Sequence, residues 1–171
     1  VSTPAFTVQN SGALVSTLSA PATVSVNQEF SVTFFVSNTG GTQVDALTPA
    51  LSLDGAGILT PVASPVALNL APSASTNFVW TFNATSSGAV SFSVTAAGTT
   101  CTGSVAVSTT RTAATLVQTP AAITVSVTVY IGTPGVPAGP LAVAKQGQLF
   151  TIVATVTNTG EASALTVLPS A

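Results

Sequence analysis

The chain has 171 residues, of which two are Lys or Arg, four are Asp or Glu and none is His, so only 4% carry charge, against roughly 25% in an ordinary soluble domain. Apolar residues make up 46% and mean hydropathy is +0.66, so the chain can bury a core and does not fit the low-hydrophobicity signature of disorder. Two cations cannot neutralise a phosphate backbone, which excludes nucleic acid as a partner, and Ser and Thr interrupt every apolar run before a membrane-spanning helix could form.

The first nineteen residues hold one short strand-like run, "AFTV", centred on Phe6 and Val8. From Phe30 the pattern becomes regular. Phe30, Val32, Phe34 and Val36 alternate with Ser31, Thr33 and Ser37. Period-two alternation rich in β-branched and aromatic residues predicts a strand with one buried face. Phe35 interrupts the polar side, so that face is expected to be partly covered. "NTGG" follows, with Asn38 placed to bond its own backbone and Gly40 placed for positive φ, and the next strand is expected to start near Val44. Further strands are predicted over Phe78–Phe82, where Trp80 joins the core, and over Val90–Thr95, Ile123–Tyr130 and Phe150–Thr157. Turn signals stand at "DGAG" 54–57, "TSSG" 85–88, "AAGTT" 96–100 and "GTPGVPAGP" 132–140, the last reading as a long loop or hinge. No segment has a helical period. Strands at this spacing predict an all-β, antiparallel β-sandwich.

The phrase "FSVTFFVSNTGG" at Phe30 is echoed 120 residues later by "FTIVATVTNTGE" at Phe150. Gln28 and Gln148, Phe30 and Phe150, Val36 and Val156, Asn38 and Asn158, Thr39 and Thr159, and Gly40 and Gly160 coincide in register. Asn38, Gly40, Asn158 and Gly160 are therefore read as the structural turn of a duplicated unit rather than as ligands. An apolar strand, then V-x-N-x-G, then a second strand ending near Pro, resembles bacterial and archaeal extracellular Ig-like domains of the CARDB, cell-adhesion-related type. That resemblance covers about 30 residues in each copy and its motif is of low specificity. It implies an Ig-like sandwich outside the cell and transfers no catalytic residue.

Three segments follow from this reading: residues 1–19 as an N-terminal strand segment able to act as a donor strand, 20–118 as an Ig-like β-sandwich, and 119–171 as an incomplete second repeat or extra strands of the same sandwich. The short second copy admits three explanations: an excerpt of a longer array, one enlarged sandwich, or a portion completed by a strand from another subunit. The absence of an initiator Met and of a leader suggests a mature or excised piece.

An enzyme is not expected. Without His there is no imidazole base for a Ser or Cys nucleophile, and one Cys with no His cannot build a zinc or iron site. Glu29, Asp45, Asp54 and Glu161 form no metal-binding spacing, and no cofactor motif is present. Cys101 reads as a small buried residue, with an intermolecular bridge as the alternative. Lys145, Asn158 and Glu161 lie in one repeat, as a Lys–Asn crosslink would require, although a solvated Lys is the simpler reading. Asn83 in "NAT" is the only N-glycosylation sequon and is expected in an exposed turn. The composition points to a structural subunit of an extracellular filament or surface layer. It would pair with copies of itself by strand addition through Phe6 and Val8, with glycans as further partners and no membrane-spanning segment. The alternative is a spacer or adhesin domain of a larger surface protein.

Overall fold

A computed structural model describes residues 10–55, 58–101, 103, 105–108, 110–131 and 145–168. The predicted hinge at 132–140 and the strand-like run around Phe6 and Val8 lie outside the described residues. The chain divides into two compact units, Val1–Thr119 and Pro120–Ala171. The described residues form strands and turns, and none of them forms a helix long and apolar enough to cross a membrane.

The first unit is an antiparallel sandwich of the Ig-like type. One sheet orders β1 (Leu14–Ser19), β3 (Glu29–Asn38), β7 (Ser75–Ala84) and β5 (Leu59–Ala63) as β1-β3-β7-β5. The other orders β2 (Thr23–Ser25), β10 (Arg111–Gln118), β8 (Gly88–Thr100), β4 (Val44–Asp54) and β6 (Leu68–Leu70) as β2-β10-β8-β4-β6, with β9 (Val105–Val107) also on β8. The alternation read from the sequence sets the faces. Phe30, Val32, Phe34 and Val36 of β3 point inward with Phe78, Trp80 and Phe82 of β7, opposite Val90, Phe92 and Val94 of β8. Phe30, Phe82 and Phe92 form a ring cluster with centroids 5.8 to 6.3 Å apart, inside the range of favourable aromatic pairs. Trp80 is buried in this core and offers no platform for a sugar.

The segment β1–β2 closes one side of the sandwich by changing sheets. β1 pairs antiparallel with β3, and after Pro21 the chain joins the second sheet as β2, parallel to β10. Two side chains of β10 fasten the crossover: the Thr115 hydroxyl donates to the Pro21 carbonyl at 2.7 Å and the Arg111 Nε–H donates to the Ser16 carbonyl at 2.7 Å. The chain's one Arg, though exposed, thus holds the backbone of β1 through its Nε–H.

Three local expectations change. "AAGTT" is not a turn but the end of β8, where Gly98 faces an irregularity in β4 between Asp45 and Thr48. A Cβ at Gly98 would lie 2.6 Å from Val44 Cγ1 and 2.8 Å from the Asp45 carbonyl, so glycine here makes room for the bulge. Cys101 is exposed just past β8, not buried. Phe35 lies on the outer face between Thr17 and Asn77 and remains exposed.

Trp80 makes the first unit directly observable. Phe92→Ala empties a fully buried site and is expected to cost about 3–5 kcal/mol, read as a lower denaturation midpoint in Trp80 fluorescence at unchanged slope.

Candidate assembly surface

The second unit is built on one two-stranded antiparallel sheet, β11 (Ile123–Ile131) with β12 (Phe150–Asn158). Its register runs from Ile123 opposite Asn158 to Ile131 opposite Phe150. Period two then places Ile123, Val125, Val127, Val129 and Ile131 on one face with Phe150, Ile152, Ala154 and Val156. The other face carries Thr124, Ser126, Thr128 and Tyr130 with Thr151, Val153, Thr155 and Thr157.

The turn after β12 repeats the local bonds of the turn after β3. Asn38 Oδ1 accepts the Gly40 N–H at 3.0 Å and the Ala13 N–H at 3.4 Å, and its Nδ2 donates to the Thr42 carbonyl at 2.8 Å. Asn158 Oδ1 accepts the Gly160 N–H at 3.1 Å and the Ala122 N–H at 3.1 Å, and its Nδ2 donates to the Ala162 carbonyl at 2.9 Å. The Thr39 and Thr159 N–H groups donate to the Ala13 and Ala122 carbonyls at 2.7 and 2.8 Å, and both Thr hydroxyls add a 3.2 Å bond to the same oxygens. The Asx-type turn expected at Asn38 is present. The expected positive φ at Gly40 is not. Glycine stands there because the preceding strand's backbone crosses it: a Cβ would lie 2.6 Å from Ala13 N and closer still to the Ser11 carbonyl. At Gly160 a Cβ would lie 2.8 Å from Ala122 N and closer still to the Pro120 carbonyl.

The echo extends beyond the matching letters. Before β3, the Gln28 N–H donates to the Ser25 carbonyl and Gln28 Oε1 accepts the Ser25 N–H, with φ +67° at Asn27. Before β12, the Gln148 N–H donates to the Lys145 carbonyl and Gln148 Oε1 accepts the Lys145 N–H, with φ +82° at Gly147. After the turns, Ala46 and Thr166 both take positive φ, at +50° and +56°, although neither is glycine. Asn158 already gives its amide to the turn and Lys145 Nζ is not brought to it by any described bond, so the geometry does not favour a Lys–Asn crosslink.

What differs is the covering. Phe30, Val32 and Val36 are 7%, 0% and 0% exposed, whereas Phe150, Ile152 and Val156 are 54%, 59% and 49% exposed. In the first unit the free edge of β3 is taken by β7, from Phe30 opposite Phe82 to Phe34 opposite Phe78, and the second sheet covers the inner face. Among the described residues, β12 pairs only with β11. Val167 and Leu168 lie over one end of the open face and, with Val125, Ala154 and Val156, line a recess of about 290 Å³.

The other candidate residues stand apart from this surface. Asn83 is half-buried within β7, opposite Glu29 of β3 and Thr60 of β5, rather than in the turn that follows. Asp54 ends β4 ahead of Gly55, and no group of three or more His, Cys, Asp or Glu able to hold a metal occurs among the described residues.

No family model matches the chain, and no curated protein matches it. Solved structures do. Native alpha-2-macroglobulin from Escherichia coli, spanning domain MG7 to the C-terminus, aligns at 22% identity and a TM-score of 0.52, covering 74% of this chain and 20% of that one. A cohesin module from a Clostridium perfringens family 33 glycoside hydrolase aligns at 12% identity and a TM-score of 0.52, covering 63% and 97%. The CARDB domain of the PF1109 protein from Pyrococcus furiosus, solved in complex with di-metal ions, aligns at 17% identity and a TM-score of 0.47, covering 62% and 88%. The first two likenesses show the fold, an Ig-like β-sandwich.

The two clamps sit in different surroundings, so the same substitution should have unequal effects. Asn38→Ala strands the buried Thr42 and Leu70 carbonyls and is expected to cost about 2–4 kcal/mol of stability, read as a lower Trp80 unfolding midpoint, while Asn158→Ala, whose partners reach water, should cost under about 1 kcal/mol and show only as faster amide exchange at Gly160 and Ala122.

Proposed function

We propose that the chain is a non-catalytic structural subunit of an extracellular filament or surface layer, in which the open sheet of the second unit is completed by β-strand addition from another copy. One observation carries this reading: the framework buried as β1–β3 in the first unit recurs as β11–β12 with its apolar face and outer edge left largely uncovered by the described residues. Large exposed apolar patches mark interaction sites, and an unpaired edge is a template for another strand. The near absence of charge supports the same reading, since little else would keep such a chain dispersed. In this setting Asn83 is the candidate N-glycan site, on the outer side of the first sheet.

A second reading has its own support. The similar structures are compatible with a spacer or adhesin domain, and the first unit closes its sandwich with its own strands, as each member of a tandem surface array would. The two readings separate on dilution. If copies complete one another, light scattering of the purified chain grows with concentration and electron micrographs show regular polymers. Because the face carries no charge, assembly is expected to be nearly unchanged between about 0.05 and 0.5 M NaCl and promoted by sulfate. A chain that stays monomeric at high concentration belongs to the second reading.

A further inference from the structure

The first unit is a template for what could cover the described strands of the second. β7 lies antiparallel on β3 with Phe78 opposite Phe34 and Trp80 opposite Val32. Carried onto β12, those places fall opposite Ala154 and Ile152. Ala154 stands where the first unit has Phe34, and the apolar recess opens at that point. An occupant must therefore be an extended, uncharged strand with a bulky apolar side chain opposite Ala154 and a second apolar residue two positions on.

Outside its described strands the chain repeats that spacing at Phe6 and Val8 and at Leu141 and Val143, and only the first pair brings an aromatic ring. Of its eight Phe, one Trp and one Tyr, all but Phe6 lie in β3, β7, β8, β11 or β12. Phe6 and Val8 have the required spacing, and residues 1–9 contain no charged side chain. Nine extended residues span about 30 Å, the length of the nine-residue β12. Asn10, whose carbonyl accepts the Gly41 N–H, anchors the next residue to the first unit.

Resting on the assembly reading, we infer that residues 1–9 of one copy add antiparallel to the outer edge of β12 of another, with Phe6 seated in the recess over Ala154 and Val8 opposite Ile152. Ala154 is then the specificity-determining position: its missing ring makes the space that the incoming Phe6 fills.

The test uses the full chain and a labelled peptide of residues 1–9, followed by fluorescence polarisation, with light scattering in parallel. The peptide is expected to bind and, in excess, to suppress growth of scattering. A Phe6→Ala peptide should bind at least tenfold more weakly, and an Ala154→Phe chain, which restores the residue type of the first unit, should lose peptide binding to a similar degree. A full chain carrying Phe6→Ala, altered outside the three described sheets, should assemble poorly while its Trp80 unfolding midpoint stays unchanged. Equal binding of both peptides, or normal assembly of the Phe6→Ala chain, overturns the inference. Assembly without peptide binding overturns it too, but leaves strand addition by another route standing. Peptide binding without assembly overturns exchange between copies and assigns the groove to the chain's own N-terminal segment.

Discussion

The side chain of Asn38 ties together three parts of the chain that are far apart in sequence. Its amide accepts from the start of β1, closes the turn into β4 and donates to the Leu70 and Ala71 carbonyls at 3.3 and 3.2 Å, at the end of β6. Fully buried, it could not stand there without those partners, since an unmet buried amide costs about 1–3 kcal/mol per group. Asn158 makes the first two of these ties and, among the described residues, has no counterpart of the third. The clamp therefore shows in one side chain how the two units differ among the described residues: both have the strands before and within the repeat, and only the first has those that close over it.

That difference explains how far the sequence could be read. The strands over Phe30–Ser37, Phe78–Phe82, Val90–Thr95, Ile123–Tyr130 and Phe150–Thr157 were visible because each alternates strictly, and alternation is a local property of the sheet. β10 was not, because its inward positions Ala113, Thr115 and Val117 mix a small residue and a hydroxyl that is satisfied only by Pro21, from the far side of the chain. "AAGTT" misled for a related reason. A glycine in a small-residue run reads as a turn, yet Gly98 is set by the bulge of β4 beside it. Likewise nothing near Gly40 reveals that the backbone of Ser11–Ala13 passes over it. Each of these residues was chosen by a neighbour remote in sequence.

The repeat shows the converse case, in which local reading was right but incomplete. Six matching letters marked it; the shared bonds around Gln28 and Gln148 and the positive φ of Ala46 and Thr166 show that the likeness runs from the turn before the strand to the eighth residue after its Asn. Sequence alone could not say whether the second copy was covered. Phe30 and Phe150 occupy equivalent places on equivalent strands, and one is buried while the other is half exposed. Burial is a property of the partner, not of the strand.

The magnitudes indicate what kind of partner would hold. Burying a Val, Ile or Phe fully is worth about 1.5–3 kcal/mol, so covering eight side chains already partly shielded would release on the order of 10 kcal/mol. Association itself costs roughly 4–15 kcal/mol in lost freedom and ordering. Apolar cover alone therefore leaves little surplus, and would accept any greasy surface with equal weakness. Pairing along the nine-residue edge of β12 adds backbone bonds of about 1 kcal/mol each and imposes direction and register. A strand satisfies both demands together, which is how β7 satisfies them for β3 in the first unit.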